Sequence, residues 1–420
     1  MTEQLCVLLY GNLVGHLQRE SSADEPSFAY EASYIGAGEV ALSARLPLRG
    51  ESFDPPRVRP FLLGLIPERL EAREAWARQL GASPDDTFGL LAQMGWDCPG
   101  AVQFCRPADL QTLTSRAGDY HRIDESGIAK RLRELQGGEP SWTMPDEHWS
   151  LAGQQQKFAL ALRDGGWYEA HGAAATTHIV KPGIGTLHHQ ALVEHVTMTA
   201  AGSVGVDVAA TQFMQFDDQW AIVVERFDRF VDDSGAVQRV HQEDLCQAVG
   251  RVPERKYESR GGPGLSDMVR VIRQQSTDLD GDRRALADFL AINVVAGAPD
   301  GHAKNVSMLR LPGRIWVAPL YDLATGFAYD STRVDRSVAL SVGGEREPSR
   351  IRTRQWTKAA DVLGIAPELL LGRVRHLASA FPAAFGESME GVADAPGAAE
   401  VAERTLPELE KHCQRILDQL

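Results

Sequence analysis

Short alternating runs of apolar and polar residues occupy the first fifty positions. The runs at 6–10 and 13–18 flank Gly11-Asn12, which predicts two strands joined by a tight hairpin turn. Beyond Pro55-Pro56 the apolar residues recur at helical spacing, predicting helices over 58–65 and 68–80 and a third opened by Ser83-Pro84. A helix over 125–135 should end at Gly137-Gly138, with a polar, proline-bearing loop running on to Trp149. Strands return as short, often β-branched runs at 158–162, 178–181, 206–216 and 220–225, with one helix, 187–200, among them. From His241 the period is helical again, at 242–249, 265–274, 282–296, 367–380 and 398–417, the last broken at Pro407. Within this helical half, 305–320 predicts a two-stranded hairpin about Pro312-Gly313.

At 420 residues the chain exceeds the size at which one core usually stops growing, so two lobes are expected. Lys and Arg number 43 against 57 Asp and Glu, a formal charge of -14 that disfavours unaided binding to nucleic acid or an anionic membrane. Five cysteines without a C-x-x-C pair argue against a disulfide framework and a thiolate zinc site. No run approaches 18 apolar residues, and the N-terminus MTEQLCVLLYGN lacks the basic start and long apolar region of a signal peptide. A cytoplasmic protein with no membrane segment is the expectation.

The chemistry concentrates in "AINVVAGAPDGHAKNVSML", where an apolar helix runs into Asp300, His302, Lys304 and Asn305. Buried charge of this kind calls for solvent, a partner or a charged ligand. Asp300 and Asn305 stand in the spacing D-x-x-x-x-N, which a protein-kinase catalytic loop uses for its base and a metal ligand; turn-stabilising side chains at a helix end are the other reading. "PLYDLATG" then brings Asp322 out of an apolar strand before a Gly-containing loop, as the magnesium-binding Asp of a kinase emerges. Upstream, "THIVKPG" ends a strand at Lys181, and the following helix carries Glu194, the arrangement of a kinase lysine and its orienting glutamate. The strand "AIVVERFDR" ends in Glu225, Arg226, Phe227 and Asp228 where sheet gives way to helix. This suits either a hinge whose backbone meets adenine or an edge strand capped by surface charges. "WSLAGQQQKFALAL" sets Ser150 and Gly153 in a small-residue turn able to cover phosphates, with Gln154 to Lys157 adding polar contacts.

Other chemistries fit less well. The chain has no Gly-Lys dipeptide and so no Walker A loop. His188, His189, Glu194 and His195 miss both zinc-hydrolase spacings, and Ser203 in "AGSVG" reads as a helix stop.

Taken together, "VLLYGNLVGHL", "YEASYIGAGEVALSARLPL", "GLIPE", "DCPGAVQF", "SLAGQQQKFALAL", "HIVKP", "VERFDR", "HQEDLCQAVG", "KYE", "DGHAKN" and "YDLATGF" resemble the HipA-type serine/threonine kinase toxins of bacterial toxin-antitoxin modules. The resemblance covers nearly the whole chain. It implies an α+β, two-lobed kinase-like fold with a β-rich N-terminal lobe and a mainly α-helical C-terminal lobe. It divides the chain into a β-rich subdomain at 1–110, the remainder of the N-lobe with phosphate loop and ATP-binding sheet at 111–228, and a helical C-lobe at 229–420. Implied ligands are ATP and Mg2+, with Asp300 as catalytic base and Asn305 and Asp322 as metal ligands. Lys181 would contact phosphate, Glu194 would hold it, and Glu225, Arg226 and Phe227 would form the adenine hinge. Gly153, Gln154, Lys157, His302 and Lys304 would lie about the phosphates, and Ser150 matches the family's autophosphorylation site.

The implied partners are a HipB-like helix-turn-helix antitoxin, operator DNA reached mainly through it, and a host protein substrate, with an aminoacyl-tRNA synthetase as one target class. The chain departs from the family in Gln154-Gln155-Gln156, where Gln156 replaces a carboxylate, and in Pro299 before Asp300. Two alternatives to a protein kinase stay open: a kinase-shaped co-repressor acting with a DNA-binding antitoxin, and phosphorylation of a small molecule or lipid. Acceptor specificity rests on surface loops without a portable motif, so the substrate is not written in the sequence.

Overall fold

The computed structural model describes residues 2–37, 40–116, 118–137, 148–332 and 334–420. The polar loop expected after Gly137 falls, up to 147, outside them. The fold is α+β and divides into two compact units. The first comprises 1–182, 215–254 and 307–315; the second comprises 183–214, 255–306 and 316–420.

In the first unit, Tyr10 and Gly11 both take positive φ, 54° and 78°, the backbone of a two-residue hairpin turn whose twist matches its strands. They join Glu3–Leu9 to Asn12–Arg19, so the turn falls one residue earlier than Gly11-Asn12. Asp164-Gly165, at 48° and 74°, repeats the device between Phe158–Arg163 and Gly166–Gly172. That second strand was not predicted, although Asp-Gly is a strong hairpin signal. A four-stranded antiparallel sheet runs Ser27–Tyr30, Asn12–Arg19, Glu3–Leu9, Val102–Cys105. A larger sheet runs Gly118–Ile123, Gly166–Gly172, Phe158–Arg163, His178–Lys181, Gln219–Glu225, with the Gln215–Phe216 end of the next strand beside it.

Two helices in this unit start later than expected because an aspartate caps them, whereas the helix expected at 58–65 starts earlier, at Pro55. Asp86 accepts from the Gly89 N–H at 2.9 Å and opens Thr87–Met94, displacing the start expected at Ser83-Pro84. Asp244 and Gln247 form a reciprocal capping box, so the helix is only Leu245–Val249, and His241–Asp244 is a strand paired with Ser307–Leu311.

His241 in that strand is fully buried, its Nε2 2.9 Å from the Leu42 carbonyl, and burial pushes its pKa from 6.5 down to about 4. Between those values the unfolded chain binds the extra proton, so stability falls as pH drops. Lowering the pH from 7 to 5 should remove roughly 2 kcal/mol through this residue. The urea midpoint of the wild type should therefore fall more steeply over that range than that of His241→Gln; equal slopes would contradict the assignment.

The second unit is helical: Gln190–Ser203, Leu265–Gln275, Leu279–Val295, Thr353–Leu363, Pro367–Glu390 and Ala398–Gln419. The end of the first at Ser203 matches the helix stop expected there. The last helix does not break at Pro407. Val401, Thr405, Leu409, Cys413 and Ile416 form one buried stripe along it. An interior proline costs about 3 kcal/mol, whereas each buried aliphatic side chain contributes about 1.5–3 kcal/mol, so the stripe prevails. Pro367–Glu390 likewise passes Pro382 and outruns the expected end near 380. Among the described residues no helix is long and apolar enough to cross a membrane, and all five cysteines are buried and free.

Candidate active site

The edge of the larger sheet positions the first group of side chains. Lys181 ends its strand opposite Ile222, and Glu225 ends the neighbouring strand opposite His178. The Lys181 side chain is buried. The Arg226 side chain does not cap a surface edge, and the hinge expected at 225–227 is a matter of backbone, not of this guanidinium. Its guanidinium is buried and binds Asp228 twice at 3.0 Å, Asp97 at 3.3 Å, Thr176 at 2.9 Å and the Cys98 carbonyl at 2.9 Å. Its backbone N–H donates to the Thr177 carbonyl at 2.9 Å. Asp228, the other candidate surface charge, is buried in the same network.

The small-residue turn is tied down. Ser150 is fully buried, its Oγ donates to the Leu65 carbonyl at 2.7 Å and its N–H to the Asp97 carbonyl at 3.0 Å. Gly153 takes φ +106° and its carbonyl accepts from the Glu68 N–H at 3.1 Å. A Cβ there would sit 2.8 Å from Lys157 Nζ, which itself donates to the Ala152 carbonyl at 2.7 Å. Gln154 is exposed.

In the second unit the helix Leu279–Val295 delivers the polar loop. Gly297 turns the chain at φ +61°, where a Cβ would collide with the Phe327 ring at 2.2 Å. Asp300 is exposed, 61% of its side chain open, and its Oδ1 accepts from Tyr257 Oη at 2.5 Å. Its carbonyl accepts from Asn305 Nδ2 and from the His302 N–H, each at 2.9 Å, and the Asn305 N–H closes onto the His302 carbonyl at 2.9 Å. The five-residue spacing is thus one closed turn, the geometry the turn-stabilising reading expects. Tyr321 Oη donates to the Lys304 carbonyl at 2.6 Å, holding the next residue, Asp322, against this loop in a left-handed conformation, φ 55°.

His302, Lys304 and Asn305 are buried. Burial, then the charges of Lys256 and Lys304, push the His302 pKa down to about 3, so it is neutral at physiological pH. Asp322 also acts on His302 electrostatically, which sets Asp300, His302, Asn305 and Asp322 in one cluster. Glu194 is buried in Gln190–Ser203 and accepts from Gln190 Nε2 at 3.1 Å. It belongs to the second unit, Lys181 to the first.

Three neighbours escaped the sequence. Tyr257 sits in the "KYE" stretch, whose motif drew notice without suggesting a contact to a residue 43 positions away. Lys256 acts on His302 from the same stretch. Asn293 donates to the Phe289 carbonyl at 2.7 Å and packs where a Cβ on Gly301 would be 2.3 Å from its Oδ1, which explains the glycine after Asp300. Among the described residues no group of three or more His, Cys, Asp or Glu could hold a metal ion alone. One Asp and one Asn are oxygen donors of the kind magnesium takes when phosphates and water complete its shell.

Comparison with known proteins identifies two family domains in the chain. Residues 149–385 match the HipA-like C-terminal domain and residues 5–105 the HipA N-terminal domain. A putative kinase of Sinorhizobium fredii is 34% identical over 397 residues, 91% of each chain. A serine/threonine-protein kinase toxin HipA of Shewanella oneidensis is 27% identical over 394 residues, 89% of this chain and 87% of that one. A solved structure of Shewanella oneidensis HipA with HipB and its operator DNA superimposes with a TM-score of 0.82 at 25% identity, covering 99% of this chain and 97% of that one. The fold is that of a kinase. The chain belongs to the HipA family of protein kinases.

Proposed function

We propose that the protein is the kinase toxin of a toxin-antitoxin module, transferring phosphate from ATP to serine or threonine of a host protein. The observation that carries this is the closed Asp300–Asn305 turn with Asp322 tethered beside it. Asp300 is exposed, as a base that must meet a substrate hydroxyl requires, and accepts that proton as the oxygen attacks phosphorus. The hydrogen bond from Tyr257 fixes one oxygen of the carboxylate. Asn305 Nδ2 is engaged by the Asp300 carbonyl, so Oδ1 is the atom that would meet magnesium alongside the Asp322 carboxylate. A bound Mg2+ would neutralise phosphate charge. In the first unit Lys181 would contact phosphate, and the backbone of Glu225 and Phe227 would meet adenine. Neutral His302 and the Lys304 ammonium would brace the loop.

The partner is a HipB-like antitoxin, because a chain of charge -14 is repelled by DNA phosphates and needs a basic intermediary. The Shewanella oneidensis relative was solved with HipB and operator DNA, which supports the same assembly. An aminoacyl-tRNA synthetase is the proposed host target, on the family resemblance alone.

Ser150 is the proposed autophosphorylation site. Its fully buried hydroxyl leaves no room for a phosphate, which adds roughly -1.5 to -2 charges, so the 150–157 turn must leave its bed on Leu65 and Asp97. Incubation with Mg2+ and ATP should add one phosphate at Ser150, abolished in Ser150→Ala and Asp300→Asn. The modified protein should be cut faster by protease within 151–157 and bind nucleotide more weakly. Unmodified Ser150 in a preparation that still phosphorylates a protein would remove this mechanism.

A further inference from the structure

The first unit contains a cavity of about 300 Å³ lined by the turn at Tyr10-Gly11, the strand residues Gly118 and Tyr120, the segment 173–175 and the hairpin residues 234–239. Three arginines, Arg116, Arg163 and Arg239, face it, and none of the described lining residues is acidic. That is unexpected in a chain carrying 57 acidic residues against 43 basic ones. The three arginines differ in how their charge is met. Arg239 is compensated by Asp97, 2.9 Å away. Arg116 is held by neutral acceptors only, Nη1 donating to Gln238 Oε1 and Nη2 to the Tyr10 carbonyl, each at 3.0 Å. Arg163 lies 4.3 Å over the face of Tyr120. Among the described residues neither Arg116 nor Arg163 has a carboxylate partner.

Neutral hydrogen bonds and an aromatic face orient a guanidinium without cancelling its charge. Arg116 is exposed and Arg163 half-buried, and the concave shape of the wall concentrates the positive field they share. The planar fork of arginine matches the oxygens of phosphate or carboxylate, and a pair so held is stronger than neutral hydrogen bonds. The volume is at the lower end of small-molecule pockets, about 300–1,000 Å³, which suits a small ligand. The cavity shares no residue with the turn at Ser150, with Lys181 or with the Asp300 loop.

We propose that this cavity binds a small oxyanion-bearing molecule, a phosphate ester or a carboxylate, gripped by Arg116 and Arg163. A purely architectural role, with Arg116 bracing the Tyr10 turn against Gln238, is the competing explanation.

Calorimetric titration of the full chain with pyrophosphate and, separately, with citrate decides between them. The wild type should bind at least one probe, and which one identifies the anion class. Arg116→Gln and Arg163→Gln should each weaken that binding by on the order of tenfold or more. Arg163→Lys, which keeps the charge and loses the fork, should fall between and guards against a glutamine variant that does not fold. Binding of neither probe by the wild type would overturn the proposal. So would variants that bind as the wild type does, whether or not their melting temperature drops.

Discussion

Asp300→Asn should lower phosphoryl transfer by on the order of a hundredfold or more while leaving the folded state close to intact. The replacement is isosteric, and its oxygen can still accept from Tyr257, now 2.5 Å from the carboxylate. Its carbonyl still closes the turn with Asn305. What is lost is the carboxylate proposed to take the hydroxyl proton. Because the side chain is 61% open, removing its charge costs little stability. Asp322→Asn should be comparably inactive for a different reason, the loss of the charge proposed to hold magnesium. A rate assay paired with a melting curve separates chemistry from folding, and a fully active Asp300→Asn would refute its role as base.

Asp97→Asn should destabilise the first unit by about 3–5 kcal/mol, the cost of leaving buried charge uncompensated. Three guanidiniums converge on Asp97: Arg229 and Arg239 at 2.9 Å and Arg226 at 3.3 Å. Asp228 is the second carboxylate, 3.0 Å from both Arg226 and Arg229. Burial pushes the Asp97 carboxyl up, but Arg229, Arg239 and Arg226 overcome it and hold the group well below the usual carboxylate range. Two carboxylates face three guanidiniums, so the cluster is already short of negative charge, and burial, then Arg226, push Arg229 down to about 10. Asparagine would leave three cations facing one carboxylate. Against a typical total of about 5–15 kcal/mol, the loss should appear as a large drop in the urea midpoint; an unchanged midpoint would contradict it. The Ser150 N–H donates to the Asp97 carbonyl, so the same residue anchors the turn proposed to swing out.

This network marks where the sequence stops being legible. "VERFDR" looked like a hinge or a charged edge because its spacing carries no trace of Asp97, 129 positions upstream of Arg226. Partners so distant are decided by packing. Asp300, Asn305 and Asp322 were legible because their geometry is local: a five-residue turn, then a strand end. Strands 178–181 and 220–225 were legible from their β-branched runs, and Gly118–Ile123 was not, since it alternates weakly and is largely exposed. Pro407 misled because local propensity was weighed without the buried stripe that overrides it.

The central claim, that this chain moves phosphate from ATP to protein hydroxyls by way of Asp300, is tested most directly with γ-labelled ATP, Mg2+ and a bacterial lysate. The label should enter serine or threonine of protein with the wild type and not with Asp300→Asn. Label appearing equally with both proteins, or in no protein with the wild type, would contradict it.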